Sequence, residues 1–228
     1  MRTLGVIPAR GGSKGVPGKN TRLLGGRPLL AYSAQAALAS ARLDRVVLTT
    51  DDAAIAEVGA SLGLDVPFLR PSRLADDDSP MVEVLRHAIE TLTESYDAVC
   101  LLQPTSPLRP VGLIDDCIDL LEASGADSVV TMLPVPAEHN PHWVYLRGPD
   151  GRLQISTGEA WPITRRQDLP EGYHRDGSVY VFRTSRIRTG NPYGAHIEAV
   201  VGDPASSVNI DDIDDWARAE ALLGRAAD

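Results

Sequence analysis

Residues Arg10–Asn20 read RGGSKGVPGKN, the densest patch of chemistry in the chain. Gly11, Gly12, Gly15 and Gly18 permit backbone conformations that a Cβ forbids. They free N–H groups to cradle phosphate oxygens. Arg10, Lys14 and Lys19 add cations, which is the local chemistry a triphosphate requires. The chain has 20 arginines but only two lysines, and both lysines lie here. Lysine is a compact, flexible point charge and arginine a planar fork, so the placement is informative. Two familiar phosphate loops fail by spacing. A Walker A loop needs Gly at position 13 and Ser or Thr at 20, where the chain has Ser13 and Asn20. No G-x-G-x-x-G triple occurs between residues 11 and 26.

Two further stretches carry chemistry. In LLQPTSPLR (Leu101–Arg109), Gln103, Thr105 and Ser106 offer neutral hydrogen-bonding groups where a sugar or acid can lie. Pro104 and Pro107 stiffen the turn, and Arg109 can pair with a carboxylate or stabilise the loop. NIDDIDD (Asn209–Asp215) groups hard carboxylates that suit Mg²⁺, an ion that takes one or two protein carboxylates plus substrate phosphates. Asp212, Asp214 and Asp215 also read as helix-start residues, and Asp76–Asp78 as a solvated loop.

These residues need a scaffold. TLGVIP (3–8) reads as a buried strand leading straight into the glycine loop, with a helix over 28–41 after it. RVVLTT (45–50), VPFL (66–69), DAVCLLQ (97–103) and DSVVTML (127–133) read as further strands. Helices are expected over 53–62, after Pro80, and through Leu113, Ile114, Cys117, Ile118 and Leu121. This alternation predicts βαβ units and a parallel sheet covered on both faces. Its ligands then bind at the carboxyl ends of the strands. Residues 134–172 break the rhythm and read as an inserted arm or hairpin. SVYVFR (178–183) and IEAVVG (197–202) return to the sheet. A last helix from about Asp212 is expected to bury Ile213, Trp216, Ala217 and Leu223.

The 228 residues fit a single domain, with 43% apolar and 23% charged residues. A net charge of −9 without a basic stretch argues against a nucleic-acid partner. Cys100 and Cys117 read as buried thiols. No apolar run approaches a membrane span, and MRTLGVIP is too short for a signal peptide, so a soluble cytoplasmic protein is expected.

Taken together, RGGSKGVPGKN, LLQPTSPLR, RRQDLP (Arg165–Pro170), DGSVY (Asp176–Tyr180) and NIDDIDD resemble, in order and spacing, the motifs of the acylneuraminate cytidylyltransferases. The resemblance spans almost the whole chain. It implies a Rossmann-like, mostly parallel α/β sheet of the nucleotidyltransferase type with a small dimerisation arm. The implied reaction couples CTP to an acidic nine-carbon sugar and releases pyrophosphate. Arg10, Lys14 and Lys19 then hold the triphosphate, joined in nucleotide binding by Ala9, Gly11, Gly12, Ser13, Asn20, Arg70 and Ser79. Arg70 matches a position that contacts the cytosine ring. Gln103, Thr105, Ser106, Arg109, Arg165, Arg166 and Tyr180 fall on the acceptor side, and His174 can approach it. The metal, Mg²⁺ or Mn²⁺, is implied at two aspartates two residues apart. Here those positions are Asn209 and Asp211, which leaves Asp211 the stronger ligand. Trp161-Pro162-Ile163-Thr164 stands where a Glu often precedes the Arg-rich motif, which points to an altered nonulosonic acid or a smaller acid. A small phosphonate as acceptor, and a non-catalytic nucleotide-binding protein, are the competing readings.

Overall fold

The structure is a computed structural model describing residues 1–227, with side chains to Gly224. It opens with β1 (Thr3–Pro8), the glycine loop, and a small hairpin of β2 (Leu23–Leu24) and β3 (Arg27–Pro28). Then come α1 (Leu29–Leu38), β4 (Arg45–Thr49), α2 (Ala53–Ser61), α3 (Met81–Thr91), β5 (Ala98–Leu101), α4 (Leu113–Ser124) and β6 (Ser128–Pro134). A second hairpin follows, β7 (Tyr145–Arg147) with β8 (Leu153–Ile155). The chain ends with β9 (Tyr173–Arg183), α5 (Thr184–Thr189), β10 (Ile197–Val201) and α6 (Ile213–Ala227).

The main sheet has six strands in the order β10-β6-β9-β5-β1-β4. The pairs β1–β4, β1–β5 and β6–β10 are parallel, whereas β9 runs antiparallel between β5 and β6. Alternation along the buried strands feeds two cores. Ile7, Leu48, Cys100 and Val181 pack with α1, α2 and α4 on one face. Leu4, Val6, Val99 and Phe182 pack with α3 and α5 on the other. A third cluster joins Val16 of the glycine loop to Leu24, Leu29, Ile210 and Trp216, so α6 closes over the loop that follows β1. Both cysteines are buried and free. Among the described residues no helix is long and apolar enough to cross a membrane.

Several expectations change. VPFL forms no strand: Leu69 makes one isolated bridge with Thr50, and Asp65 just before the segment makes another with Val47; Pro67 lacks the N–H that a ladder needs. In α6, Trp216 and Ala219 are buried and Leu223 half-buried, but Ile213 and Ala217 face solvent. The 134–172 segment carries short 3₁₀ turns and the β7–β8 hairpin.

Asp127 ties the start of β6 to the segment entering β10. Its Oδ2 accepts from the N–H groups of Ala195 (2.8 Å) and His196 (3.1 Å), and its Oδ1 from Arg186 Nε (2.8 Å). The His196 and Ala195 amides, helped by Arg186, hold its carboxyl down to about 2. A depressed carboxyl stabilises the fold above its unfolded value of about 4, and the contribution fades as pH falls through the folded one. Asp127→Asn should therefore lower the urea midpoint at pH 7. The gap to wild type should close as pH falls from about 4 towards about 2.

Candidate active site

The carboxyl end of β1 delivers the glycine loop to the edge of the sheet, and its backbone is tied down from three directions. Ala9 N–H donates to the carbonyl of Thr49 (3.0 Å), Gly11 N–H to Asp51 Oδ1 (3.2 Å), and Asn20 Nδ2 to the Arg10 carbonyl (3.0 Å). Lys19 Nζ crosses to the carbonyl of Ile210 at 2.7 Å. Burial lowers the Lys19 pKa, while Asp211 and Asp215 oppose that shift. Gly15 lies so close to the Asp211 carbonyl that a Cβ would sit 1.9 Å from its oxygen.

Two cavities meet at this edge. The smaller, about 230 Å³, is lined by Arg10, Gly12, Ser13, Lys19, Asn20 and Arg70, with Gln103 and Thr105 closing one side. The larger, about 550 Å³, is walled by Leu85, Leu101, Tyr180, Phe182 and Tyr193, with Arg175, Asp176 and Asn209 among its polar groups. Met81 and Gln103 line both. Arg70 is buried; burial lowers its pKa and Asp51, 3.6 Å away, opposes that. Its buried Nε has no hydrogen-bond partner among the described residues. Burial pushes the Tyr180 hydroxyl up to about 12.

A bulge in β9 shapes the boundary between the cavities. Between the pairs Val130–Tyr180 and Met132–Arg175, Thr131 alone faces Asp176–Val179. Gly177 takes φ +86° there, and a Cβ on it would lie 2.8 Å from Ser106 Oγ. The buried Asp176 carboxylate fixes the bulge by accepting from Thr131 Oγ1, Ser178 N–H (2.9 Å) and Ser178 Oγ (2.7 Å). Bulges beside functional sites re-aim side chains in this way.

The remaining residues divide. Asn209 Nδ2 donates to Asp211 Oδ2 at 2.7 Å, so the two side chains stand together. Asp212 caps α6 through the N–H groups of Asp214 and Asp215, as the macrodipole reading expects. Ser106 is buried, its Oγ 3.4 Å from both the Asp176 carbonyl and Asn209 Oδ1. Ser79 turns away from both cavities to donate to the Arg73 carbonyl at 3.1 Å. Arg109 is not on the acceptor side. Its guanidinium donates to Ser178 O (2.6 Å), Ser33 Oγ (2.8 Å) and Gln103 O (2.5 Å), and burial pulls its pKa down to about 10. It stabilises the loop and opens onto a separate cavity of about 260 Å³ beside α1. Arg165 pairs with Asp168 in the arm, and neither it nor Arg166 lines either of the two adjoining cavities.

Three residues escaped the sequence reading. Asp51, at the end of β4, orients both Gly11 and Arg70; the TTDD run closing a strand was its signal. Asp77 belongs to the acidic run, yet it bridges Arg10 Nη2 (2.6 Å) and Lys14 Nζ rather than standing free. Hydrogen bonds from Lys14 and then Arg10 lower its pKa. Arg175 had no spacing signal.

A cation-lined glycine loop at the carboxyl end of the first strand, beside a second cavity, is an arrangement that suits a nucleotidyltransferase. A family model described as cytidylyltransferase matches residues 4–191, and the chain belongs to that family of CTP-dependent nucleotidyltransferases. CMP-N,N'-diacetyllegionaminic acid synthase of Legionella pneumophila is 34% identical over 234 residues, covering 98% of this chain and 97% of that protein. Pseudaminic acid cytidylyltransferase of Campylobacter jejuni is 33% identical, covering 82% of this chain and 80% of its own. The solved CMP:2-keto-3-deoxy-manno-octonic acid synthetase complexed with CTP shares the fold, with a TM-score of 0.75 at 15% identity over 99% of this chain and 100% of that one.

Gly15→Ala tests the loop directly. Forcing a methyl against the Asp211 carbonyl should displace the loop at a cost of about 1–3 kcal/mol. CTP affinity, read by calorimetry, should fall about ten- to a hundredfold.

Proposed function

We propose that the protein transfers CMP from CTP to the anomeric hydroxyl of a nonulosonic acid and releases pyrophosphate. The observation carrying this reading is the 550 Å³ cavity joined to the phosphate loop through Gln103 and Met81. It is far larger than a small phosphonate needs. The near full-length similarity to nonulosonic acid enzymes supports the same acceptor class.

In this reading the acceptor oxygen attacks the α-phosphorus of CTP, the bond to the bridging oxygen breaks, and pyrophosphate leaves. Such chemistry is mainly positioning and charge neutralisation. Lys19 and Arg10, with the loop N–H groups, neutralise the leaving pyrophosphate. Lys14 joins them once Asp77 is displaced. Arg70, which lines the loop cavity, is the side chain assigned to the base. Gln103 stands where the two substrates meet.

Mg²⁺ fits the donor set modestly. Among the described residues no group of three His, Cys, Asp or Glu side chains is placed to hold a metal. Asp211 and the adjacent Asn209 amide suit an ion whose remaining ligands are phosphate oxygens and water. When bound, the ion would add positive charge at the phosphates. We also place the enzyme in the cytoplasm, where free buried thiols persist. We further infer a homodimer through the arm, whose Trp161, Leu146 and Leu153 are exposed, with the partner arm bringing cations to the acceptor side.

Pyrophosphate release should occur with CTP, Mg²⁺ and a nonulosonic acid, and not with UTP, ATP or GTP. Lys19→Met should lower kcat by about 10²–10³. Release only with a phosphonate, or bound CTP without release on any acid sugar, overturns the assignment. Light scattering at micromolar concentration should give a dimer mass; a monomer overturns the arm's role.

A further inference from the structure

The larger cavity has a near end and a far end. Gln103 and Met81 mark the near end because they also line the phosphate-loop cavity. Arg175 and Tyr193 mark the far end because they also line a shallow pocket of about 240 Å³ beyond, with Val130, Met132 and Ile197. The pair is a wall between the two. The Arg175 guanidinium lies 5.3 Å from the Tyr193 ring centre, and its Nη1 donates to the Tyr193 hydroxyl. Tyr193 packs edge-on to Phe182 at 5.4 Å, and Phe182 stacks on Tyr180 at 6.0 Å. The aromatic ladder thus holds the exposed Arg175 cation at one end of a cavity of mixed polar and apolar lining.

Chemistry limits what that cation can meet. A nonulosonic acid carries its carboxylate on the same carbon as the reacting hydroxyl, so the carboxylate stays at the near end. Arginine only donates, so the group at the far end must accept. The intervening wall is Leu85, Leu101 and Phe182, which suits a methyl group and disfavours a bare hydroxyl. An acylamino substituent offers both the apolar methyl and the accepting carbonyl.

We propose that Arg175 is a specificity-determining residue: held by Tyr193 at the far end of the larger cavity, it donates to the carbonyl oxygen of an acylamino group on the acceptor. This rests on the nonulosonic acid reading above. Among the described residues neither Arg165 nor Arg166 lines the cavity, and Arg175 is the Arg or Lys that does.

The test compares two nonulosonic acids identical except that one carries an acylamino group where the other has a hydroxyl. In Arg175→Met the ratio of their kcat/KM values should fall about 10–100-fold relative to wild type. The loss should enter through the KM of the acylated acceptor, leaving the KM for CTP within about twofold, and Arg175→Lys should recover part of it. An equal loss on both acceptors would mean a structural role or a carboxylate contact, and overturns the proposal. An unchanged ratio with active wild type overturns it too. Wild type silent on both acids overturns the acceptor reading itself, and this role with it.

Discussion

The site depends on one long-range contact, the seating of the glycine loop against residues 209–211. Lys19 reaches the Ile210 carbonyl, Gly15 touches the Asp211 carbonyl, and Val16 enters the cluster under α6. The loop is therefore not a self-contained phosphate cradle. Its shape is completed by chain almost two hundred residues later in sequence. Contacts of that sequence separation carry a large loop-closure entropy, which the surrounding sheet must offset. The same contact brings Asn209 and Asp211 beside the loop, so the loop's shape and the placing of those two side chains are fixed together.

The second organising feature is β9. A parallel strand in that position would enter from the opposite end and carry its bulge away from the loop. Running antiparallel, β9 brings Asp176 and Gly177 to the carboxyl ends of β5 and β1. The Asp176 carboxylate is satisfied within its own hairpin of contacts to Thr131 and Ser178, which stiffens the wall without needing a cation. Arg109 reinforces it from behind by joining Ser178 to Gln103. The two cavities thus share a wall stapled from both sides.

Much of this was legible in the sequence, because local chemistry wrote it. The strand before the loop, the glycines and cations, and the helices at 29–38, 81–91 and 113–124 follow from β-branched runs, Gly freedom and helical spacing. Strand direction is not written that way, since alternation looks the same forwards and backwards; the antiparallel setting of β9 had to come from the structure. Arg109 was ambiguous for a related reason. A cation near a site reads alike whether it faces a ligand or backbone carbonyls. Arg175 acts on a partner brought near by folding alone and left no spacing to find, whereas Asp51 was signalled only by the acidic pair that closes a strand.

Asp77 gives the glycine loop its own counterion. With its carboxylate across Arg10 and Lys14, the loop does not present a bare positive field to passing anions. Binding of any anion at these two cations is then an exchange of anions rather than a simple neutralisation. A lone phosphate gains little by displacing a carboxylate already in place, whereas a triphosphate can surrender that contact and still engage Lys19 and the loop amides. An anion that meets these cations meets the Asp77 carboxylate with them, so the loop's charge and that of the acidic segment act as one unit.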